Sequence, residues 1–125
     1  RAPWAGRVVL PKAPDGHYYA LLKIGTETVQ FMVDTGASDV VLNESDARRL
    51  GIGEQGLAFT GTAMTANGTV QTARVTLEDV RFGPFQDARI PAAVTTGAMD
   101  VSLLGMSYLG RFSISIAGDR MELRR

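Results

Sequence analysis

Short β-type segments separated by turn residues recur along almost the whole chain, and this spacing constrains the fold more than any other feature. The segments are rich in apolar, β-branched and aromatic residues, which are typical of strands. They lie at residues 18–24, 29–33, 40–42, 75–82, 90–95, 112–116 and 121–123. Many short strands with few helices predict an all-β domain, either a small barrel or a sandwich.

Two short helices are predicted between these strands. Asn43 is a good N-cap for a helix over residues 44–50, and Gly51 can supply the left-handed residue that ends it. A second helical turn is predicted between Gly105 and Gly110.

The length of 125 residues, of which 45% are hydrophobic, suits one domain with its own core. We therefore expect a single domain over residues 1–125. Residues 1–12 are the exception, since they read as an extended arm or as a linker from an upstream segment.

The charge balance and the residue types that the chain lacks exclude several functions. The chain has 13 basic and 13 acidic residues and no run of like charges, which weighs against nucleic acid or an anionic membrane surface as its main partner. Without cysteine there is no disulfide framework, thiolate nucleophile or thiolate metal site. His17 is the sole histidine, beside a turn, so a surface role is favoured and no multi-histidine metal site is possible. We expect no metal and no organic cofactor.

One carboxylate stands apart from the others. Most acidic residues, Asp46 and Asp87 among them, lie in charged or turn contexts where solvation explains them. Asp34 instead follows the apolar strand 29–33 and precedes Thr35-Gly36-Ala37-Ser38. A carboxylate at the end of a buried strand is costly unless it is hydrogen-bonded, and the following glycine and hydroxyl groups can supply those bonds. From the residues alone, an Asx-type turn and a functional carboxylate both remain open.

A polar hairpin is predicted in the middle of the chain. Its arms are residues 62–65 and 69–72, joined around Ala66, Asn67 and Gly68. Asn-Gly is the strongest two-residue hairpin signal. Because both faces of the arms are polar, the hairpin need not pack into the core.

The segment Val33-Asp34-Thr35-Gly36-Ala37-Ser38 resembles the active-site segment of aspartic proteases. The order of elements is similar to that of the single-domain, retropepsin-like kind. A strand hairpin precedes Asp34, a short strand and a helix follow it, the glycine-containing hairpin comes next, and Leu103-Leu104-Gly105 opens a short helix near the end. Residues 66–68 and 104–109 look like those of bacterial members, in which the protease domain often follows a membrane anchor.

The resemblance implies the fold of the small closed retropepsin-like barrel and the activity of an aspartic endopeptidase. Asp34 would be the catalytic carboxylate, supported by Thr35, Gly36 and Ser38. The Gly36 N–H would bond the carboxylate, the Ser38 hydroxyl its outer oxygen, and the Thr35 hydroxyl would bond across to the other subunit.

The resemblance also implies a flap and a substrate. Ala66, Asn67 and Gly68 would form the tip of a flap that closes over an extended peptide. Met64, Ala66 and Ala98 are candidate pocket residues. The substrate would be a peptide or protein, bound by its backbone with alternate side chains in pockets.

Aspartic-protease chemistry needs two carboxylates about 3 Å apart that share one proton. The chain has one Asp-Thr-Gly motif, so the second carboxylate must come from a partner chain, and a homodimer is expected. Asp100 is the nearest internal rival, but it lacks the Thr-Gly context and reads as a loop residue. A non-catalytic peptide-binding or dimerisation module with the same fold is the alternative function.

The resemblance to bacterial members bears on location too. It implies an anchor upstream of Arg1 as the only link to a membrane, with the protease domain in the periplasm.

Overall fold

In the computed structural model, which describes residues 6–53, 56–66 and 68–125, the chain is built mainly from strands. Within these ranges the strands are β1 (Arg7–Pro11), β2 (Tyr19–Ile24), β3 (Glu27–Val33), β4 (Val40–Leu42), β5 (Gly61–Thr65), β6 (Gly68–Leu77), β7 (Val80–Phe82), β8 (Phe85–Asp87), β9 (Ile90–Thr95), β10 (Ser102–Leu104), β11 (Ser113–Ala117) and β12 (Arg120–Arg124). Helix α1 (Glu44–Arg49) follows β4, and helix α2 (Met106–Leu109) follows β10. The expectation of a mostly β chain with one or two short helices is confirmed.

Hydrogen bonds join the strands into two sheets. The larger has nine strands in the order β5-β6-β9-β4-β10-β3-β2-β7-β8, and the smaller, which we call the terminal sheet, has the order β1-β12-β11. Most neighbours are antiparallel, but β10 runs parallel to β3 and β4 runs parallel to β9. Among the described residues no pairing joins β5 to β8, so closure of the large sheet into a barrel stays a prediction.

The alternation of side chains explains why residues 27–33 form a strand. Val29, Phe31 and Val33 are buried, while the residues between them are exposed or half-buried. This period of two matches the pleat of a strand whose one face covers the core. Phe31 lies opposite Ala20 of β2, which is also fully buried.

Helix α1 begins and ends as the sequence predicts. The Oδ1 of Asn43 accepts a hydrogen bond from the backbone N–H of Asp46 at 2.8 Å. At the other end Gly51 has a φ of 73°, and the N–H of Ile52 donates back to the carbonyl of Ala47 at 2.9 Å. Such a Schellman-type end satisfies carbonyls that the last turn leaves free.

One hydrophobic cluster holds both sheets together. Tyr108 of α2 is fully buried and packs edge-on against Phe82 and Phe112, whose ring centroids lie 6.4 and 5.2 Å away. Met121 and Leu123 of β12 belong to the same cluster, so the terminal sheet shares the core of the large sheet.

Three strands were not predicted from the sequence, among them β10 (Ser102–Leu104), which lies between β4 and β3 in the large sheet. Residues 7–11 form β1, paired with β12 so that Val9 lies opposite Glu122. Residues 85–87 form β8, which returns along β7 after Gly83. No helix in the described ranges is long and apolar enough to cross a membrane.

Candidate active site

The loop that carries Asp34, residues 34–39, leaves the large sheet where β3 ends. Leu104 of β10 lies beside Val33 in the parallel pairing, and its carbonyl accepts a hydrogen bond from the Asp34 N–H at 3.0 Å. On its other side β10 pairs with β4, with Leu103 opposite Val41. The two strands that flank this loop, which we call the Asp34 loop, are therefore held by the same central strand.

The Asp34 carboxylate is half-buried and accepts a hydrogen bond from within the loop. The backbone N–H of Gly36 donates to Oδ1 at 3.0 Å. A Cβ atom at Gly36 would lie 3.3 Å from that oxygen, so the glycine permits the close approach of the loop backbone. The expected bond from Gly36 is present, whereas the bonds expected from the exposed Thr35 and Ser38 hydroxyls stay predictions.

Gly105 allows the start of α2 to pack closely against the backbone of the Asp34 loop. A Cβ atom at this residue would lie 2.1 Å from the carbonyl oxygen of Asp39 and 2.8 Å from that of Ala37, distances that no side chain tolerates. The start of α2 therefore lies directly against the loop. The N–H groups of Met106 and Ser107 donate to the carbonyls of Ala37 and Ser38, both at 2.8 Å.

Ser107 contributes a further contact that the sequence analysis missed. Its Oγ accepts a hydrogen bond from the Val40 N–H at 3.2 Å. The apolar-apolar-Gly element thus opens a short helix, as predicted, and also bonds the backbone on both sides of the Asp34 loop.

The polar hairpin is formed by β5 and β6, as predicted, but Gly68 is the first residue of β6 rather than part of the turn. Thr65 lies opposite Gly68, and the Thr65 hydroxyl donates to the Gly68 carbonyl at 2.7 Å. Ala66 is an exposed turn residue, Gly68 has a φ of 110°, and Asn67 lies outside the described residues. Met64 near the tip is 87% exposed.

A cavity of about 360 Å³ lies between the hairpin and strands β4, β9 and β10, with Asp39 of the Asp34 loop at its edge. Its lining combines apolar side chains with threonines of the hairpin and with one ion pair at its edge. The main contributors are Val41, Leu103, Ala63, Val70, Ala93 and Met99. Of the expected pocket residues, Met64, Ala66 and Ala98 are not among those that line this cavity.

The ion pair at the edge of the cavity joins Arg74 of β6 to Asp39, with Nη1 and Oδ2 3.5 Å apart. The two side chains are 70% and 43% exposed. At such exposure the pair contributes little to stability, about 1 kcal/mol at most. It nevertheless places one charge of each sign beside the cavity, at residues that the sequence analysis did not single out.

Two carboxylates that the sequence analysis assigned to solvent are in fact packed against the protein. The Asp46 side chain is 15% exposed, and its Oδ2 accepts from the hydroxyl of the fully buried Ser102 at 2.6 Å. The Asp87 side chain is 10% exposed and is paired with Arg125 at 3.0 Å. Burial, and secondly the Asp87 charge, raise the pKa of Tyr108 well above its usual value, so this phenol stays neutral.

The remaining candidates lie as expected, away from any cluster. His17 and Asp100 are exposed, His17 in the turn before β2 and Asp100 in the segment that leads into β10. Within the ranges that the structure describes, no group of three His, Asp or Glu side chains is placed to hold a metal ion.

Comparison with known proteins shows the family. The sequence profile described as "gag-polyprotein putative aspartyl protease" matches residues 20–111. The chain belongs to this family of retropepsin-like aspartyl proteases. The matched residues include the Asp34 loop, the polar hairpin and α2, so they cover every element of the candidate site.

Two curated relatives match most of this chain. A Rickettsia prowazekii protein is 40% identical over 107 residues, which are 86% of this chain and 46% of that protein. A Sinorhizobium protein is 38% identical over 119 residues, 94% of this chain and 51% of that protein. Both are named as uncharacterised proteins. This retropepsin-like chain therefore spans about half the length of the curated relatives it matches.

Solved structures show the same fold. The crystal structure of a retropepsin-like aspartic protease from Rickettsia conorii superposes with a TM-score of 0.87 at 39% identity, covering 95% of this chain and 99% of that one. The EIAV protease in complex with the inhibitor HBY-793 gives a TM-score of 0.65 at 18% identity, with 78% and 89% covered. The retroviral protease-like domain of Ddi1 from Leishmania major gives 0.61 at 18%, with 88% and 82% covered.

Proposed function

We propose that this chain is an aspartic endopeptidase that acts as a homodimer, with Asp34 of each subunit as its catalytic carboxylate. The observation that carries the proposal is the Asp34 loop. The Asp34 carboxylate accepts a hydrogen bond from the Gly36 N–H at 3.0 Å, and Gly105 packs closely against the backbone of the loop. A simple Asx turn requires the hydrogen bond from the Gly36 N–H, but it does not require a glycine packed against the loop backbone, as Gly105 is here. The 0.87 TM-score with the Rickettsia conorii protease supports the same conclusion.

The chemistry follows from two carboxylates that share one proton. Asp34 in its ionised form takes a proton from a bound water, whose oxygen attacks the scissile carbonyl carbon. Asp34 of the partner subunit, in its protonated form, gives its proton to the carbonyl oxygen. In the collapse of the resulting diol the C–N bond breaks, Asp34 gives its proton to the amine nitrogen, and the carboxylate of Asp34 of the partner subunit takes a proton from a diol hydroxyl, which restores the starting dyad. No cofactor takes part in this sequence of steps.

The terminal sheet supplies a surface for the homodimer. Strand β11 has β12 on one side, and its other edge has no strand partner among the described residues. Ile116 of this strand is 59% exposed, although its neighbour across the sheet, Met121, is buried. An unpaired edge with an exposed apolar residue is a liability unless another chain covers it. Pairing of β11 with its counterpart about a two-fold axis covers both edges at once.

The polar hairpin is assigned the role of a flap, with Ala66, Asn67 and Gly68 at its tip. The exposure of Ala66 and Gly68 and the position of the hairpin along the 360 Å³ cavity support this assignment. Closure over an extended peptide would exclude water from the site and complete the backbone contacts of the substrate.

The test of this proposal is the Asp34→Asn variant. Asparagine can neither accept the water proton nor share one, so we expect cleavage of a casein-like substrate to fall by at least about a hundredfold, with an unchanged circular dichroism spectrum. Mixed with wild type at roughly ninefold excess, the variant should lower activity per wild-type chain about tenfold, because mass action places most wild-type chains in mixed dimers.

Two results would contradict the proposal. Cleavage by a folded Asn variant would remove Asp34 from the mechanism. Specific activity that stays constant on dilution, from a species shown to be monomeric, would require a second carboxylate within the chain, and Asp100 would be examined first.

The rate as a function of pH separates an enzyme from a peptide-binding module. Two carboxylates that share a proton release their protons in two separate steps, and the active form carries one. We therefore expect a bell-shaped profile of rate against pH with its optimum on the acidic side of neutral. A statine-type inhibitor should block cleavage, and a metal chelator should not. Peptide binding without turnover at every pH would favour the module instead.

A further inference from the structure

The segment of residues 96–101 contributes Met99 to the wall of the cavity next to the hairpin. Met99, at the middle of this segment, lines the cavity beside Leu103. The segment leaves β9 and enters β10, and its first residue is fixed by the bond from the Thr96 N–H to the Gln71 carbonyl at 3.0 Å. The segment has no helix or strand of its own.

The backbone of the rest of this segment has few internal supports. Among the described residues, one hydrogen bond reaches the backbone of residues 98–101. It runs from the side-chain amide Nδ2 of Asn43 to the carbonyl of Met99, at 3.1 Å. The position of this cavity wall therefore depends on a residue that lies 56 positions earlier in the chain.

Asn43 is buried, with 7% of its surface exposed, and each of its polar groups is used. Its Oδ1 caps α1 by accepting from the Asp46 N–H at 2.8 Å, and its backbone N–H donates to the hydroxyl of Ser102 at 3.0 Å. Serine, threonine or aspartate caps a helix about as well as asparagine does. The capping of α1 therefore does not by itself explain why residue 43 is an asparagine. An asparagine amide provides both the oxygen that accepts from the helix and the N–H that donates to the Met99 carbonyl.

We propose that Asn43 is a positioning residue for substrate binding. Its Nδ2 holds the Met99 carbonyl, so that residues 96–101 keep the cavity open at the width that an extended peptide requires. This inference rests on the proposed peptidase function. Asn43 touches neither the reacting atoms nor the substrate, and it acts through Met99. Its loss should therefore weaken substrate binding and leave the chemical step unchanged.

The test uses substitutions that keep the cap and remove the donor. In Asn43→Ser and Asn43→Asp an oxygen can still accept from the Asp46 N–H, but no N–H group reaches Met99. We expect KM for a peptide substrate to rise about three- to tenfold, the loss typical of one hydrogen bond, while kcat stays within about twofold.

Ser102→Ala is the matched control. This substitution removes the bonds to Asp46 and to the Asn43 N–H, but it leaves the Nδ2 contact with Met99 in place. It should lower the free energy of unfolding at least as much as Asn43→Ser does, with KM within about twofold of wild type. An equal rise of KM in both variants would attribute the effect to lost stability and would overturn the proposal.

A second measurement does not depend on cleavage. Backbone NMR order parameters of residues 97–101 should fall in Asn43→Ser and stay at wild-type values in Ser102→Ala. Unchanged order parameters in Asn43→Ser would overturn the proposal whatever the kinetics. A wild-type protein that cleaves no peptide would instead overturn the proposed function, and the order parameters would still decide whether Asn43 holds the segment.

Discussion

The Asp34 loop and the polar hairpin lie on either side of the same cavity, and they are built in opposite ways. The loop is held by backbone contacts: a Cβ atom at Gly105 would lie 2.1 Å from the Asp39 carbonyl oxygen, and the Asp34 N–H donates to the Leu104 carbonyl of β10. The hairpin carries Met64 at 87% exposure, and the described residues of its tip, Ala66 and Gly68, are exposed. Chemistry needs groups held within fractions of an ångström, whereas a lid must open and close. We therefore expect the Asp34 loop to be the more stable of the two regions and the hairpin to be the more mobile.

The largest difference between the two regions is expected when one glycine in each, Gly105 beside the loop and Gly61 in the hairpin, is replaced by alanine and the loss of unfolding free energy is compared. At Gly105 a Cβ atom meets backbone oxygens that cannot move without displacing the loop, so Gly105→Ala should cost about 3 kcal/mol or more of unfolding free energy and abolish cleavage. At Gly61 in the hairpin the nearest atom, at 2.5 Å, is the Thr72 hydroxyl oxygen, which can rotate away. Gly61→Ala should therefore cost less than about 1 kcal/mol.

Urea denaturation of both variants measures this contrast. Equal losses of stability in the two would show that the hairpin is as tightly built as the loop, and the comparison would then fail.

A smaller effect is expected at the hairpin tip. Gly68 has a φ of 110°, and Gly25, in the turn between β2 and β3, has a φ of 61°, with open space around both. Alanine is strained at either position, so each variant should lose about 1–2 kcal/mol of stability. Only Gly68→Ala should lower kcat/KM, by several-fold, because it distorts the hairpin that we propose to be the flap.

Gly25→Ala is the matched control for strain, since it lies in a turn distant in sequence from the hairpin. Thermal melts of both variants, and their kcat/KM on one peptide, show whether an effect on cleavage is specific to the hairpin tip. Equal kinetics in the two variants would mean that the tip does not close over the substrate.

The smallest effect is expected at Met64. Because its side chain is almost fully exposed, Met64→Ser should change the unfolding free energy by less than about 0.5 kcal/mol. Any change in KM would then report contact with the substrate, as its candidacy for a pocket suggests. A loss of stability above that limit would show that the hairpin packs against the body of the protein.

Local signals in the sequence account for much of the fold and for the central carboxylate. Helix α1 is marked by its own cap residues, the hairpin by Ala66-Asn67-Gly68, and Asp34 by the apolar strand before it. Each of these signals lies within a few residues of the structure it predicts. For this reason α1, the hairpin and a hydrogen-bonded carboxylate at Asp34 could be predicted from the residues, whereas the specific bond from the Gly36 N–H was an implication of the family resemblance.

The features that escaped prediction depend on residues far apart in the chain. Gly105 matters because it meets the carbonyls of Ala37 and Asp39, and Asn43 matters because it reaches Met99. Neither contact leaves a periodic pattern in the sequence. Strand β1 was missed for the same reason, since its hydrogen-bond partner β12 lies at the other end of the chain.

The pairing of β1 with β12 has a consequence for the timing of activity in the cell. Arg7 lies opposite Arg124, so the terminal sheet joins residues more than a hundred positions apart. A contact of such high sequence separation forms late in folding. During translation β12 emerges after every other strand of the domain, so β1 cannot pair with it, and the terminal sheet cannot form, until then. A nascent chain therefore carries its Asp34 loop early but lacks the finished terminal sheet, which is the proposed surface for the homodimer. If the proposed homodimer is the active form, proteolysis begins only after synthesis of the domain has ended.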